Sequence, residues 1–277
     1  MITSSNIILK GENDRAILLD YEHQETIKPL PVVVFCHGYK GYKDWGAWNL
    51  MSSAFAKAGF LFIKFNYSHN GGTVEQPIDF PDLDAFGNNN YSIEVRDTIR
   101  VLDWIENSEL PVDRYQINLI GHSRAGGITT IVTAKEPRVS KLITLAGVAN
   151  YAERFPIGEA LKEWKEKGVM YIKNGRTKQE MPLFYQFYKD FLQNEEELTI
   201  LKQAQKIKQP HLILHGENDE TVVVSDAQKL HKASFNSQLK LIREANHTLG
   251  ASHPWHHEQL PLHLREAVQC MVNFLNS

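Results

Sequence analysis

The chain is poor in the features that would set it outside the ordinary globular classes. It has two cysteines in 277 residues, Cys36 in an apolar run and Cys270 in an amphipathic one. Both read as small core hydrophobes, which argues against a disulfide framework and fits a reducing compartment. An excess of one charge is also missing. The formal net charge is -3, which recommends neither a nucleic acid nor a membrane surface as partner. The one basic stretch, Lys162 to Lys178, is interspersed with glutamates and reads as a solvated face. No run approaches the roughly 18 apolar residues of a spanning helix. The opening "MITSSNIILKGENDR" lacks the basic segment and apolar core of a signal peptide, so the expected address is the cytoplasm. Internal repeats and low-complexity tracts do not occur.

What the chain does have is alternation. Short β-branched runs such as "PVVVFCHG", "FLFIKFNYS", "QINLIG", "VSKLITLAG", "PHLILHG" and "QLKLIREA" are separated by amphipathic helical patterns. The clearest is "YSIEVRDTIRVLDWIENS", which puts Val95, Ile99, Leu102 and Ile105 on one stripe. Two earlier runs, "NIILK" and "AILLDYE", read as a hairpin turning at "GEND". Strands alternating with helices imply right-handed crossovers and a mostly parallel sheet covered on both faces. One stretch breaks the rhythm, from about residue 150 to 208. It is aromatic, patterned as mostly helical, and long for a connection between strands, which suits a cap or lid within a single domain spanning 1–277.

Within "INLIGHSRAGG", Ser123 stands between a strand that ends at Gly121 and a helix that begins just after it. A serine on so sharp a turn needs small residues two positions away on each side, because the backbone there approaches itself. Gly121 and Ala125 fill those positions, and Gly126 and Gly127 let the helix pack closely. This is the nucleophile elbow, usually G-x-S-x-G, with Ala125 in place of the second glycine. It frees the Arg124 amide to hold an oxyanion. A second donor is expected from the loop after an earlier strand, and in "FCHGYKGYKDW" the Tyr39 amide fits, with His37 bonding backbone to hold the loop.

A base and an acid complete the set. "HLILHGENDETV" offers Asp219 just past a strand end. Glu217 and Glu220 compete with it, and Asn218-Asp219 also reads as a turn-forming pair. Among 12 histidines, His247 in "LKLIREANHTLG" directly follows the last strand in a loop of small residues. The histidines of "HTLGASHPWHHEQLPLH" lack the spacing of a structural zinc site. The order Ser, Asp, His, carried by "VVVFCHGYKG", "LIGHSRAGG", "LILHGENDETV" and "ANHTLG", resembles the α/β-hydrolases over nearly the whole chain. The forms "GHSRAG" and "HGENDETVVV" are most similar to the dienelactone-hydrolase-like and acyl-ester-hydrolase branch. The resemblance implies a mostly parallel sheet of about eight strands with helices on both faces and a helical cap. It also implies a cofactor-free serine hydrolase of a small acyl ester or thioester, with a small peptidase or a non-catalytic binding member of the fold as alternatives.

Four side chains are expected to line or contact the substrate site. Arg124 can bind a carboxylate or phosphate, unless it pairs with Glu94 or Asp97 of the preceding helix. Asn66 and His69, with Asn70, follow the fourth strand at the carboxyl edge of the sheet, where α/β sites lie. The nearby Asp79, Asp82 and Asp84 read as a solvated loop. The aromatic residues Trp164, Tyr171, Phe184, Tyr185, Phe187, Tyr188 and Phe191 of the insertion either cap an acyl chain or pack the insertion onto the body.

Overall fold

The computed structural model describes residues 1–277. The strands are β1 (Ile2–Lys10), β2 (Ala16–His23), β3 (Leu30–Cys36), β4 (Leu61–Asn66), β5 (Val112–His122) and β6 (Val139–Leu145). A small hairpin follows, β7 (Val169–Lys173) with β8 (Glu180–Phe184), and then β9 (His211–Gly216) and β10 (Ser237–Ile242). Eight of them form one sheet in the order β1-β2-β4-β3-β5-β6-β9-β10. The N-terminal hairpin is antiparallel and β2 meets β4 antiparallel, while every pairing from β4 to β10 is parallel. The continuous apolar runs are the interior strands: all six residues of β4 and of β9 are buried. The edge strand β1 alternates between exposed and half-buried residues.

The helices are α1 (Trp48–Lys57), α2 (Leu83–Asn88), α3 (Tyr91–Asn107), α4 (Arg124–Lys135), α5 (Glu159–Lys167), α6 (Gln186–Gln193), α7 (Glu195–Leu198), α8 (Ile200–Ala204), α9 (Val224–Ala233) and α10 (Leu262–Asn276). The period of two along each strand decides which helices it meets. Phe35, Phe62, Ile120 and Leu214 face one side and share an apolar cluster with Met51 and Phe55 of α1 and Leu264 and Met271 of α10. Val34, Ile63, Leu119 and Ile213 face the other side, with Leu102 of α3, Ile128 of α4 and Leu230 of α9. No helix is long and apolar enough to cross a membrane.

The insertion lies between β6 and β9, as expected, but is less helical than its pattern suggests. "VMYIK" and "EMPLF" pair as the antiparallel hairpin β7-β8 around a turn that opens with Asn174-Gly175. An Asn-Gly between two alternating runs is a hairpin signal, and the flanking helical periodicity masked it. Tyr151, Phe155, Trp164, Phe187 and Phe191 belong to the same apolar cluster as α3 and α4, so the insertion shares the core of the body. The loop of three aspartates also departs from expectation. Asp82 caps α2 by accepting from Ala85 N at 2.8 Å and pairs with Arg15, and Asp79 pairs with Arg176 of the hairpin turn.

Candidate active site

The parallel register lines up the strand ends that carry the site. Cys36 pairs with Gly121 and His122 with Leu145, so the chain leaving β3 runs beside the turn leaving β5. Ile242 pairs with Gly216, which brings together the loops after β9 and β10. Between these pairs, Ser123 sits on the β5–α4 turn at φ 58°, ψ -121°, a strained conformation for a residue with a side chain. Close approach sustains it. A Cβ at Gly121 would lie 2.2 Å from Thr129 Oγ1 and 2.3 Å from Ala125 O. Ala125 itself is helical and fully buried, so its methyl adds to the core.

Ser123, His247 and Asp219 form one hydrogen-bonded chain. The Ser123 hydroxyl donates to His247 Nε2 at 2.9 Å, and His247 Nδ1 donates to Asp219 Oδ2 at 2.8 Å. A carboxylate only accepts, so it fixes the proton on Nδ1 and leaves Nε2 to accept from the serine. Asp219 is fully engaged. Its other oxygen accepts from the amides of Thr221 at 2.9 Å and Val222 at 2.8 Å. The imidazole of His215, which donates to Val222 O at 2.7 Å, also lies 3.3 Å from Asp219 Oδ2. Burial alone would raise the Asp219 carboxyl, but its bonds to His215, His247 and Val222 outweigh that and hold it well below the usual range. The competitors Glu217 and Glu220 are exposed. Two further imidazoles flank the chain. His122 donates to His247 O at 3.1 Å, and burial lowers it to about 3. His37 donates to Gly38 O at 2.9 Å, the backbone bond expected of it, and burial lowers it to about 4.

Two backbone amides of the site lack a backbone partner. Arg124 opens α4, where an N–H has no partner within the helix. Tyr39 lies outside any helix or strand, and its amide makes no backbone hydrogen bond. Gly38 is what lets this loop approach, since a Cβ there would stand 2.8 Å from Ser123 Cβ. A serine hydroxyl paired to a buried imidazole–carboxylate couple, beside free amides, can attack an acyl carbon and shelter the resulting oxyanion.

The loop that carries Tyr39 is clamped by charge. Lys43 Nζ lies 2.7 Å and Lys64 Nζ 2.6 Å from Asp20 Oδ2, and both lysines also pair with Asp44. These two lysines and two aspartates make a closed neutral square against β2 and β4. Here the structure corrects one expectation. Asn66 does not line the site: its Oδ1 accepts from Lys43 N at 2.6 Å and its Nδ2 donates to Pro77 O at 2.8 Å, so both ends of the amide hold loops together. His69 is corrected likewise. The chain after β4 is tied to α3 by Ser68 N donating to Asp97 Oδ2 at 2.8 Å, and the ring of His69 bonds Ser68 Oγ and borders a separate cleft with Glu12 and Arg15. Asn70 lies with Asn66 along another cleft.

Two cavities meet at Ser123, His247, Tyr39 and Lys40. One, of about 470 Å³, is lined mostly by polar residue types and includes Thr248, Ser252 and His253 from the chain after His247, together with Asn174 and Arg176 from the hairpin turn. The other, of about 380 Å³, is walled by Tyr91, Val148, Ile172, Leu183, Phe187 and Val222. Arg124 lines the second cavity and also makes the ion pair with Glu94, at 3.0 Å. The insertion's aromatics divide accordingly. Phe187 faces the cavity, Trp164 and Phe191 are buried, and Tyr171 is exposed. Sequence reasoning missed the cavity residues Asn174, Arg176, Trp45 and His253, although the Asn-Gly turn could have located the first two.

Comparison with known proteins agrees with this architecture. No curated protein matches the sequence. Among solved structures, Est1E from Butyrivibrio proteoclasticus, determined with ferulic acid bound, superposes with a TM-score of 0.74 at 16% identity, covering 98% of each chain. A Klebsiella pneumoniae protein provisionally assigned as a dienelactone hydrolase gives 0.63 at 15% identity, covering 100% of this chain and 98% of that one. The acylaminoacyl peptidase of Pyrococcus horikoshii gives 0.68 at 15% identity, covering 100% of this chain but 42% of that one. The family profile for the α/β-hydrolase fold matches residues 31–169, and the chain belongs to that family.

Proposed function

We propose that the protein is a serine hydrolase of carboxylic esters or thioesters. The observation that carries this reading is the continuous hydrogen-bonded chain from Asp219 through His247 to Ser123, ending on a strained turn beside the unpaired amide of Tyr39. His247 takes the Ser123 proton as the oxygen attacks the acyl carbon, and Asp219 holds the imidazole and stabilises its cation. The Tyr39 and Arg124 amides hold the tetrahedral oxyanion. The proton on His247 then passes to the leaving alcohol or thiol as its bond to the acyl carbon breaks. Water, deprotonated by the same imidazole, releases the acid and restores Ser123. The polar cavity suits the leaving group, because the chain following the proton donor lines it. The apolar cavity suits the acyl group. All of this needs only residues of this chain, within a single domain whose 150–208 insertion supplies part of both cavities. A cytoplasmic setting suits the unpaired Cys36 and Cys270.

The test is labelling with a fluorophosphonate, read by intact mass and peptide mapping. One adduct on Ser123 is expected, together with loss of labelling and of ester turnover in Ser123→Ala at an unchanged melting temperature. Folded protein that takes no label would refute the reading.

A further inference from the structure

The apolar cavity contains polar groups that its walls do not explain. Arg124 is nearly buried, with 11% of its side chain exposed. Of the fan of N–H donors a guanidinium carries, one donates to Glu94 Oε1 at 3.0 Å and the others meet no protein acceptor. Rings surround the group, so only its N–H edge can bond. Its Cζ lies 4.1 Å from the ring centroid of Tyr39, 5.2 Å from Phe187 and 5.3 Å from Tyr91. Tyr39 also lines this cavity, but its hydroxyl is buried out of reach of water and has no protein partner. Free guanidinium N–H donors thus stand in an apolar pocket that Ser123 also lines. Something must bond such donors, water or a ligand.

Charge decides what that something is. The Arg124 cation is already balanced by Glu94, whose second carboxylate oxygen is buried with no partner of its own. An anionic ligand would bring a second negative charge toward that oxygen, where little water screens it. A neutral oxygen satisfies the donors without this cost. Of the other cations of the cavity, one is already paired and one is not. Arg154 is paired with Asp226, and Lys40 stands at the junction of both cavities.

We propose that this cavity selects acyl groups carrying a neutral hydrogen-bond acceptor, such as a ketone, ether or hydroxyl oxygen, which binds the free edge of Arg124. The inference rests on the ester-hydrolase reading and deepens it to a substrate class. It is distinct from binding a carboxylate, the role the sequence suggested for Arg124.

The experiment compares matched p-nitrophenyl esters on the wild-type enzyme: pentanoate, its ketone isostere levulinate, and the succinate monoester, with the same three one methylene longer. The keto ester of at least one length is expected to exceed the alkanoyl ester about tenfold or more in kcat/KM, as a hydrogen bond to a charged donor implies. In the paired variant Arg124→Met/Glu94→Gln, which leaves no unbalanced charge, that ratio is expected to fall toward one. Equal rates for keto and alkanoyl esters at both lengths would overturn the proposal. So would preference for the succinate ester, or a ratio that survives in the variant. Labelling of Ser123 without turnover of any of the esters would overturn the substrate class alone. No turnover and no labelling would overturn the hydrolase reading, and this inference with it.

Discussion

Replacing Lys43 by methionine should unbalance the charge square under the Tyr39 loop. The side chains of Lys43 and Lys64 are 2% and 5% exposed, and those of Asp20 and Asp44 10% and 17%. With all four present the group is neutral. Burial would raise the Asp44 carboxyl, but Lys64 and Lys43 outweigh it and hold it below its ordinary value. Lys43→Met leaves two carboxylates facing one ammonium in a nearly dry site. Removing one partner of a buried pair costs about 3–5 kcal/mol. At roughly 2–4 °C per kcal/mol, that is a fall of about 6–20 °C in Tm. Deleting a carboxylate as well should repair the damage. Lys43→Met/Asp44→Leu retains only the Asp20–Lys64 pair, and replacing a buried ion pair by apolar groups is often neutral. The assay is guanidinium unfolding of the wild type and both variants, read as midpoints at constant slope. A cost below about 1 kcal/mol for Lys43→Met would mean that water reaches the square. A double variant no better than the single one would mean that Lys43 acts through packing and not through charge.

Two further outcomes are expected. Gly38→Ala should lower kcat on the order of 100-fold or more, because the added methyl, 2.8 Å from Ser123 Cβ, displaces the loop that carries the Tyr39 amide; steady-state kinetics retaining half the wild-type kcat would refute this. Asp97, held by Ser68 N and Arg100, has no exposed side-chain surface, and burial raises it from 3.8 to about 6 despite those bonds. The folded state therefore keeps a proton that the unfolded state releases, so Asp97 lowers stability as pH rises across that interval. Asp97→Asn should gain on the wild type by up to about 3 kcal/mol between about pH 4 and pH 7, and unfolding midpoints with identical pH dependence in the two proteins would refute it.

The parts of this protein that are legible in its sequence are those where local chemistry and topology make the same demand. "LIGHSRAGG" is readable because only small residues permit the elbow, and His247 and Asp219 are readable because they directly follow strands. Parallel pairing then brings those strand ends level without further information. Asn66 ends a strand and His69 follows it, and the same rule failed for them. Proximity to the carboxyl edge of the sheet does not say which way a side chain turns. Asn66 is claimed by the backbone of Lys43, 23 positions away, and the chain at Ser68 by Asp97, 29 positions away. No local pattern records such partners. The charge square is hidden for the same reason. Lys43 and Asp44 lie in a loop, and only the fold brings Asp20 of β2 and Lys64 of β4 to them. Arg124 shows how one residue can satisfy two readings. Its sequence position allowed either an ion pair or a ligand contact, and the fold gives it the ion pair on one edge and leaves the other edge open to the cavity. What this sequence leaves unwritten is therefore mostly the second partner of each polar side chain.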